Sequence, residues 1–407
     1  MQITKQNEFK DLFPFKPRRI MNFRKPKNSM QLSDYKSGIW SQQYQYRSFL
    51  PSQINHPWGW TDPEINTLLS EANRRLGELN GLSLIIPDLD RFITMHVAKE
   101  AQKSSLIEGT ETDMEEALIE DSEQIAPERR DDWLEVRNYI SAMNQSFAAL
   151  AEIPLSNRLL CDAHRTLMQG ARGEKKTPGD FRHSQNWIGG ATPADAVFVP
   201  PHHEELPSLL TDLEAFWHNE NIHVPQLIRI AISHYQFETI HPFQDGNGRI
   251  GRLLITLYLV NKDLLRHPCL YLSAHLEKHR TDYYDALMRV RTSHDLNHWI
   301  RFFLVAVIET AKSSTLTLQK LFELHTRTQA QLATFGQTAG NARLLMELFN
   351  NATFISSQTV QKHLNVSQAT ADRLLSNLQS EGILSILKDS PRNRLFYFRE
   401  QLDLFTL

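Results

Sequence analysis

Apolar residues in this 407-residue chain recur mostly at spacings of three and four, the period of a helix with one buried face. Leu68, Leu69, Ala72, Leu76 and Leu79 line one such stripe, and Asp62-Pro63-Glu64 opens it, proline being tolerated in a first turn. A second helix is predicted from Pro87-Asp88 through Phe92, Ile93, Val97 and Ala98 to Ile107, stopped by Gly109. Thr112-Asp113-Met114-Glu115 reads as a capping box opening a third. Residues 133–150 and 155–169 continue the pattern. After a break, helices resume near Leu209 and run to about Leu332.

Three regions depart from it. Residues 1–60 carry ten Lys/Arg against three Asp/Glu, and Pro14, Pro17, Pro26 and Pro51 interrupt any long helix, which predicts an irregular, solvated, basic extension. Between Gly170 and Pro207, glycines and prolines mark a loop long enough to expect a function, with Val197-Phe198-Val199 as a short strand inside it. Residues 336–340 read as a linker. Beyond it come helices at 342–349, 358–364 and 368–381, then a hairpin from 383–387 to 395–398 around 388–393, the plan of a winged helix-turn-helix. The domains predicted are a basic extension (1–60), an N-terminal helical region (61–120), a helical core (121–333) and a separate winged-helix unit (341–407).

Composition narrows the classes of function. Hydrophobic content of 41% supplies sizeable cores, and a net charge of −3 points to no particular partner. No apolar run is long enough to span a bilayer, so no membrane partner is expected. Two cysteines, Cys161 and Cys269, lie in apolar surroundings without metal-ligand spacing and read as buried reduced thiols of a cytoplasmic protein. Residues 341–407 hold seven Lys/Arg and six Asp/Glu, and the presumed recognition helix offers Arg373 against Asp372 and Glu381. A DNA reader needs a basic face, so a docking or homodimer-forming role is favoured over DNA binding.

The chemistry concentrates in His241-Pro242-Phe243-Gln244-Asp245-Gly246-Asn247-Gly248-Arg249-Ile250-Gly251-Arg252. Glycines on either side of Asn247 permit a sharp turn that aims backbone N–H groups outward. The apolar run 253–260 reads as a buried helix, which puts the turn at a helix N-terminus suited to phosphate. Arg249 and Arg252 leave its first turn on similar faces. Asp245 is a hard oxygen ligand suited to Mg²⁺, and His241 a near-neutral base. Gly246, Gly248 and Gly251 also spell G-x-G-x-x-G, but the dinucleotide fingerprint requires a preceding strand, and residues 227–239 read as helix. His234, on the same helical face as His241, is taken as structural.

This string resembles the core motif of the Fic family, His-Pro-Phe-x-(Asp/Glu)-Gly-Asn-Gly-Arg-x-x-Arg, with every fixed position present. The resemblance implies a mainly α fold, a Fic-type helical bundle with a short β-hairpin flap, and transfer of AMP from Mg-ATP to a Ser, Thr or Tyr hydroxyl of a protein. It makes His241 the catalytic base and Asp245 the metal ligand. Gly246, Asn247, Gly248, Arg249 and Arg252 become the phosphate cradle. Ser104-x-x-x-Glu108-Gly109 resembles the family's inhibitory motif, which implies that Glu108 pairs with Arg252 and holds the enzyme at rest. Val197, Phe198 and Val199 resemble the flap that docks a target segment, and Tyr283-Tyr284 a tyrosine pair lining the nucleotide pocket. Where some relatives carry an adenine-contacting Asn, this chain has Arg291. Another donor, removal of AMP, self-modification, and a DNA-binding regulator with a nucleotide-sensing site all stay open at this point.

Overall fold

The computed structural model describes residues 29–86, 89–170, 176–349, 352–387 and 394–406. The chain enters through four short strands, β1 (Met30–Gln31), β2 (Gly38–Gln42), β3 (Arg47–Pro51) and β4 (Trp58–Gly59). β1 lies parallel to β4, and β2 and β3 form an antiparallel hairpin pairing Gly38 with Pro51 and Trp40 with Phe49. The described part of the extension is therefore neither irregular nor merely draped on the body: Leu32, Tyr35, Phe49, Ile54 and Trp58 are buried. The prolines limit helix but not strand, and large apolar side chains among polar ones supply an inward face. Residues 1–28 of that predicted extension lie outside the described residues.

Helices then dominate. α1 (Pro63–Ser83) starts at Asp62, whose carboxylate accepts from the Glu64 N–H. α2 (Leu89–Glu108) ends where Gly109 takes φ 103°; its predicted start at Pro87-Asp88 lies outside the described residues. α3 (Met114–Leu118) is short, and its capping box is Asp113 with Glu116, one residue later than the sequence reading placed it. Aspartate takes the cap because its carboxylate reaches the third helical N–H while Glu116 reaches back. α4 (Arg130–Ala149), α5 (Asn157–Leu167), α6 (Leu206–His218), α7 (Gln226–Ile240) and α8 (Asn247–Asn261) build the centre. α9 (Ser273–Lys278) and α10 (Arg280–Ser293) lead into the 38-residue α11 (Leu296–Ala333). Nearly every side chain of α7 and α8 is buried, so the turn between them is held from all sides. No helix among the described residues is long and apolar enough to cross a membrane.

The C-terminal unit comprises α12 (Ala339–Leu348), β5 (Ile355–Ser356), α13 (Ser357–Leu364), α14 (Gln368–Ser380), β6 (Ser385–Ile386), β7 (Leu395–Tyr397) and α15 (Arg399–Thr406). The strands form one sheet in the order β5-β7-β6, and the predicted hairpin turn at 388–393 is not among the described residues. Two expectations fail here. Residues 336–340 are a 3-10 turn running directly into α12, with Gly340 inside the helix. Nor is the unit separate. Leu324 and Leu332 of α11 sit in its core, while Leu402 and Phe405 of α15 sit in the main core. Phe405 packs against Phe92 and His96 of α2, with ring centroids 6.0 and 5.1 Å apart. Glycines at 336 and 340 signalled a break in pattern, but they do not prevent a helical junction when α11 supplies apolar surface to both cores.

Candidate functional site

The site forms where α7 stops and α8 starts. His241 caps α7 with φ 50° and ψ 61°, a left-handed conformation unusual for a non-glycine residue. Buried Arg182 and Asn186 secure it. Arg182 Nε donates to the His241 carbonyl at 2.9 Å and its Nη2 to the Pro201 and Ile240 carbonyls, while Asn186 Nδ2 donates to the His241 and Phe243 carbonyls. A guanidinium here also complements the negative end of the α7 dipole. The His241 imidazole is half-buried, and burial, then Arg291 and Arg182, push its pKa down to about 3. It is therefore neutral near pH 7, ready to take a proton. Its Nδ1 has no hydrogen-bond partner among the described residues.

Asn247 closes the turn. Its Oδ1 accepts from the Phe243 N–H at 2.7 Å and its Nδ2 donates to the Phe243 carbonyl at 2.8 Å. The side chain is thus committed to the protein, and what Asn247 offers a ligand is its backbone N–H. The N–H groups of Asn247, Gly248 and Arg249 fall in the first turn of α8, where no intrahelical acceptor exists. Gly246 sits at φ 73°, and a Cβ there would meet Leu167 and Met168 at 3.1 Å. The exposed Asp245 accepts from the Gly246 N–H at 2.6 Å through one carboxylate oxygen, leaving the other at the mouth of the turn.

Two neutral histidines buttress this frame. His164 stacks on Phe243 at 3.9 Å, donates from Nε2 to the Asp245 carbonyl and accepts from the Gly179 N–H on Nδ1. His234 donates from Nδ1 to the Gly251 carbonyl and accepts from the Tyr283 hydroxyl on Nε2, both at 2.9 Å. Burial lowers their pKa values to about 4 and about 3.

The two arginines diverge. Arg249 donates to Glu135 of α4 at 3.0 Å. Arg252, almost wholly buried, meets the end of α2: its Nε donates to Ser104 Oγ at 2.8 Å, and its Nη2 donates to the Ser104 carbonyl at 3.0 Å and to Glu108 Oε1 at 2.6 Å. Burial acts to raise the Glu108 pKa, but the charge and hydrogen bond of Arg252, with Arg249 and His241 adding, bring it below the ordinary value. Glu108 rests against Gly248, where a Cβ would overlap Oε1 and come within 2.8 Å of Arg252 Nη1.

The flap region differs from its expected form. Val197-Phe198-Val199 makes a single antiparallel bridge, Phe198 with Ile188, rather than a strand. Only Val197 is exposed; Phe198 and Val199 are buried. Phe198 packs with Trp40 and Phe49 of the N-terminal hairpin, and the Val199 carbonyl already accepts from the Phe49 N–H at 2.9 Å. The edge left for another segment narrows to Val197. Tyr283 also departs from expectation. It is 1% exposed, bonded to His234 and packed on Trp299, so it belongs to the core; of the pair, Tyr284, 38% exposed, has the accessible ring.

Sequence reading singled out neither Glu238 nor the linking role of Arg291. Buried Glu238 presses its carboxylate onto Gly251, its Oε1 has no partner among the described residues, and burial pushes its pKa up to about 7. Arg291 donates to Thr239 Oγ1 and the Glu238 carbonyl, and its guanidinium lies 3.8 Å over the Phe198 ring. The signal for both was weak: a glutamate three residues before a helix-ending histidine, and an arginine on an amphipathic helix.

A neutral base, a row of N–H groups at a buried helix start and two guanidiniums beside it form an arrangement suited to phosphate. The chain carries the two domains of the Fic family: residues 66–148 match the Fic/DOC family N-terminal model and residues 154–259 the Fic/DOC family model. A protein adenylyltransferase Fic of Aedes aegypti is 32% identical over 125 residues, 30% of this chain and 22% of the relative. A probable protein adenylyltransferase of Aquifex aeolicus is 38% identical over 88 residues, 22% of this chain and 26% of the relative. The matched stretches thus span about a quarter of these relatives. In fold, the chain is similar to a Fic family protein from Desulfovibrio desulfuricans G20, with TM-score 0.52 and 23% identity over 84% of this chain and 98% of that one.

Proposed function

We propose that this protein is an adenylyltransferase that moves AMP from ATP to a hydroxyl side chain of a protein and is held at rest by Glu108. The observation that carries the reading is the contact of Ser104 and Glu108 with Arg252 in the second turn of α8. A buried guanidinium beside the N–H row suits a terminal phosphate, and here a carboxylate takes its place. The curated relatives named as protein adenylyltransferases support the choice of nucleotide.

In the reaction, the neutral His241 takes the proton of the attacking hydroxyl. The oxygen bonds to the α-phosphorus as the bond to pyrophosphate breaks. Charge on the leaving group meets Arg249, Arg252 and the N–H groups of Asn247, Gly248 and Arg249. Asp245 fits Mg²⁺, since its second carboxylate oxygen stands at the turn's mouth and hard oxygen donors suit that ion. Such an ion would neutralise phosphate oxygens. Tyr284 lines the nucleotide side, and the target segment lies along Val197. The divisions proposed are inhibitory helices over 61–120 and a catalytic core over 121–333.

The C-terminal unit runs helix, strand, two helices, then two strands, and we read it as a winged helix serving docking rather than DNA. Asp372, bonded to Gln368, stands in the second turn of α14 beside Arg373. DNA binding by the full chain at low salt would overturn that reading.

Incubation with Mg²⁺ and α-labelled ATP tests the activity on wild type, Glu108→Gly, and Glu108→Gly with His241→Ala. The reading requires protein-bound label that is strong only in Glu108→Gly. Absence of label in all three, with ATP bound, would remove it.

A further inference from the structure

Two turns before Ser104, a cavity of about 350 Å³ lies between α2, α9 with the residue Tyr271 just before it, and α11. Nearby carboxylates are already engaged. Glu309 pairs with Lys312 at 2.8 Å and Glu277 with Lys103 at 3.7 Å, while buried Glu100 accepts from the N–H and hydroxyl of Ser273. Lys99 and Lys278, both on the cavity wall, meet no carboxylate within 4.0 Å among the described residues. Lys99 is half-buried, and burial together with Lys103 lowers its pKa. Two further wall residues carry hydroxyls with no partner among the described residues: Tyr271, 6% exposed, and Thr310, 9% exposed. Buried hydroxyls without partners are uncommon, and two on one cavity beside the partly buried ammonium of Lys99, with exposed Lys278 at the rim, call for an acceptor-rich anion.

We propose that this cavity binds a small phosphate monoester, held by Lys99 and Lys278 and by the hydroxyls of Tyr271, Thr310 and Ser313. No arginine lines it. A planar carboxylate is best matched by a guanidinium fork, whereas point-like ammonium groups and rotatable hydroxyls suit tetrahedral phosphate. The volume lies at the lower end of small-ligand pockets. The site shares no residue with the α8 turn and stands independently of the transferase reading.

Calorimetric titration of the full chain with glycerol 3-phosphate tests it. Lys99→Gln combined with Lys278→Gln removes the proposed site, and Arg249→Gln weakens the turn; thermal melts confirm that each variant folds. A saturating non-hydrolysable ATP analogue masks the turn without any substitution. The expected result is binding that survives in Arg249→Gln and under the analogue but weakens at least tenfold in the lysine variant. Loss confined to Arg249→Gln, no binding in any protein, or equal competition by acetate would overturn the proposal.

Discussion

Glu108 rests on the bare α-carbon of Gly248, so closely that a methyl group there would overlap its Oε1. The glycine therefore makes room for the carboxylate that engages Arg252, as well as for any phosphate. Gly248→Ala is expected to displace Glu108 and destabilise the fold by about 1–3 kcal/mol, as overpacking does. In a Glu108→Gly background the same substitution should cost far less. A double-mutant cycle from chemical denaturation checks this, and equal costs in both backgrounds would refute it.

Asn247→Ala is expected to destabilise by about 1–3 kcal/mol, because it strands the buried N–H of Phe243 and takes from its carbonyl one of two donors, the other being Asn186 Nδ2. Loss of labelling should accompany loss of stability, since the side chain frames the turn. A variant of normal stability would contradict the geometry.

Tyr283 and Tyr284 should separate cleanly. Tyr283→Phe removes the hydrogen bond to His234 and is expected to lower stability by about 1 kcal/mol. Tyr284→Ala should leave the melting temperature near wild type while raising the apparent KM for ATP in the Glu108→Gly protein. The opposite pattern would place Tyr283 in the nucleotide pocket after all.

Acid should unfold this protein early. His96, His164 and His234 are buried with pKa values lowered to about 3, about 4 and about 3. Below pH 6.5 the unfolded chain takes up protons that these folded rings refuse, so stability falls as pH drops towards 4. Glu238, raised to about 7, acts in the opposite sense, losing stability as pH rises from 4.5 to 7. With His241, also lowered to about 3, four groups outweigh one, giving a net slope of up to about 4 kcal/mol per pH unit between pH 4.5 and 6.5. Melting temperatures that stay flat across that window would show that the rings are open to protons.

The labelling rate carries its own pH signature. A base with its pKa lowered to about 3 stays unprotonated through the usual histidine range. The Glu108→Gly protein should therefore show no acid limb centred near pH 6.5. Finding one would mean that His241 is solvated like a free imidazole.

Helix positions were legible because α1, α4, α6 and α14 each bury one stripe, and the turn at 241–252 because its residue types repeat a known pattern. What stayed hidden was non-local. The N-terminal hairpin is recognisable only through its contact with Phe198, 149 positions beyond Phe49 in the numbering. Tyr283 and Tyr284 are adjacent in sequence and opposite in exposure because one side of α10 faces Trp299. Arg291 reads as a surface helix arginine until Glu238, Thr239 and Phe198 close around it. The return of α15 to α2 has no local signature, since eight amphipathic residues fit any apolar groove.

That return has a mechanical meaning. α2 is a rod gripped at both ends: near its start Phe92 and His96 are wedged by Phe405, and at its tip Glu108 reaches the arginine. A helix is stiff over five turns, so prising α15 from its seat tilts the whole lever. Fusions or epitope tags placed after α15 would then act as remote levers on Arg252, which lies 154 positions before the end of α15. In practice, labelling experiments on this protein belong on a chain tagged elsewhere.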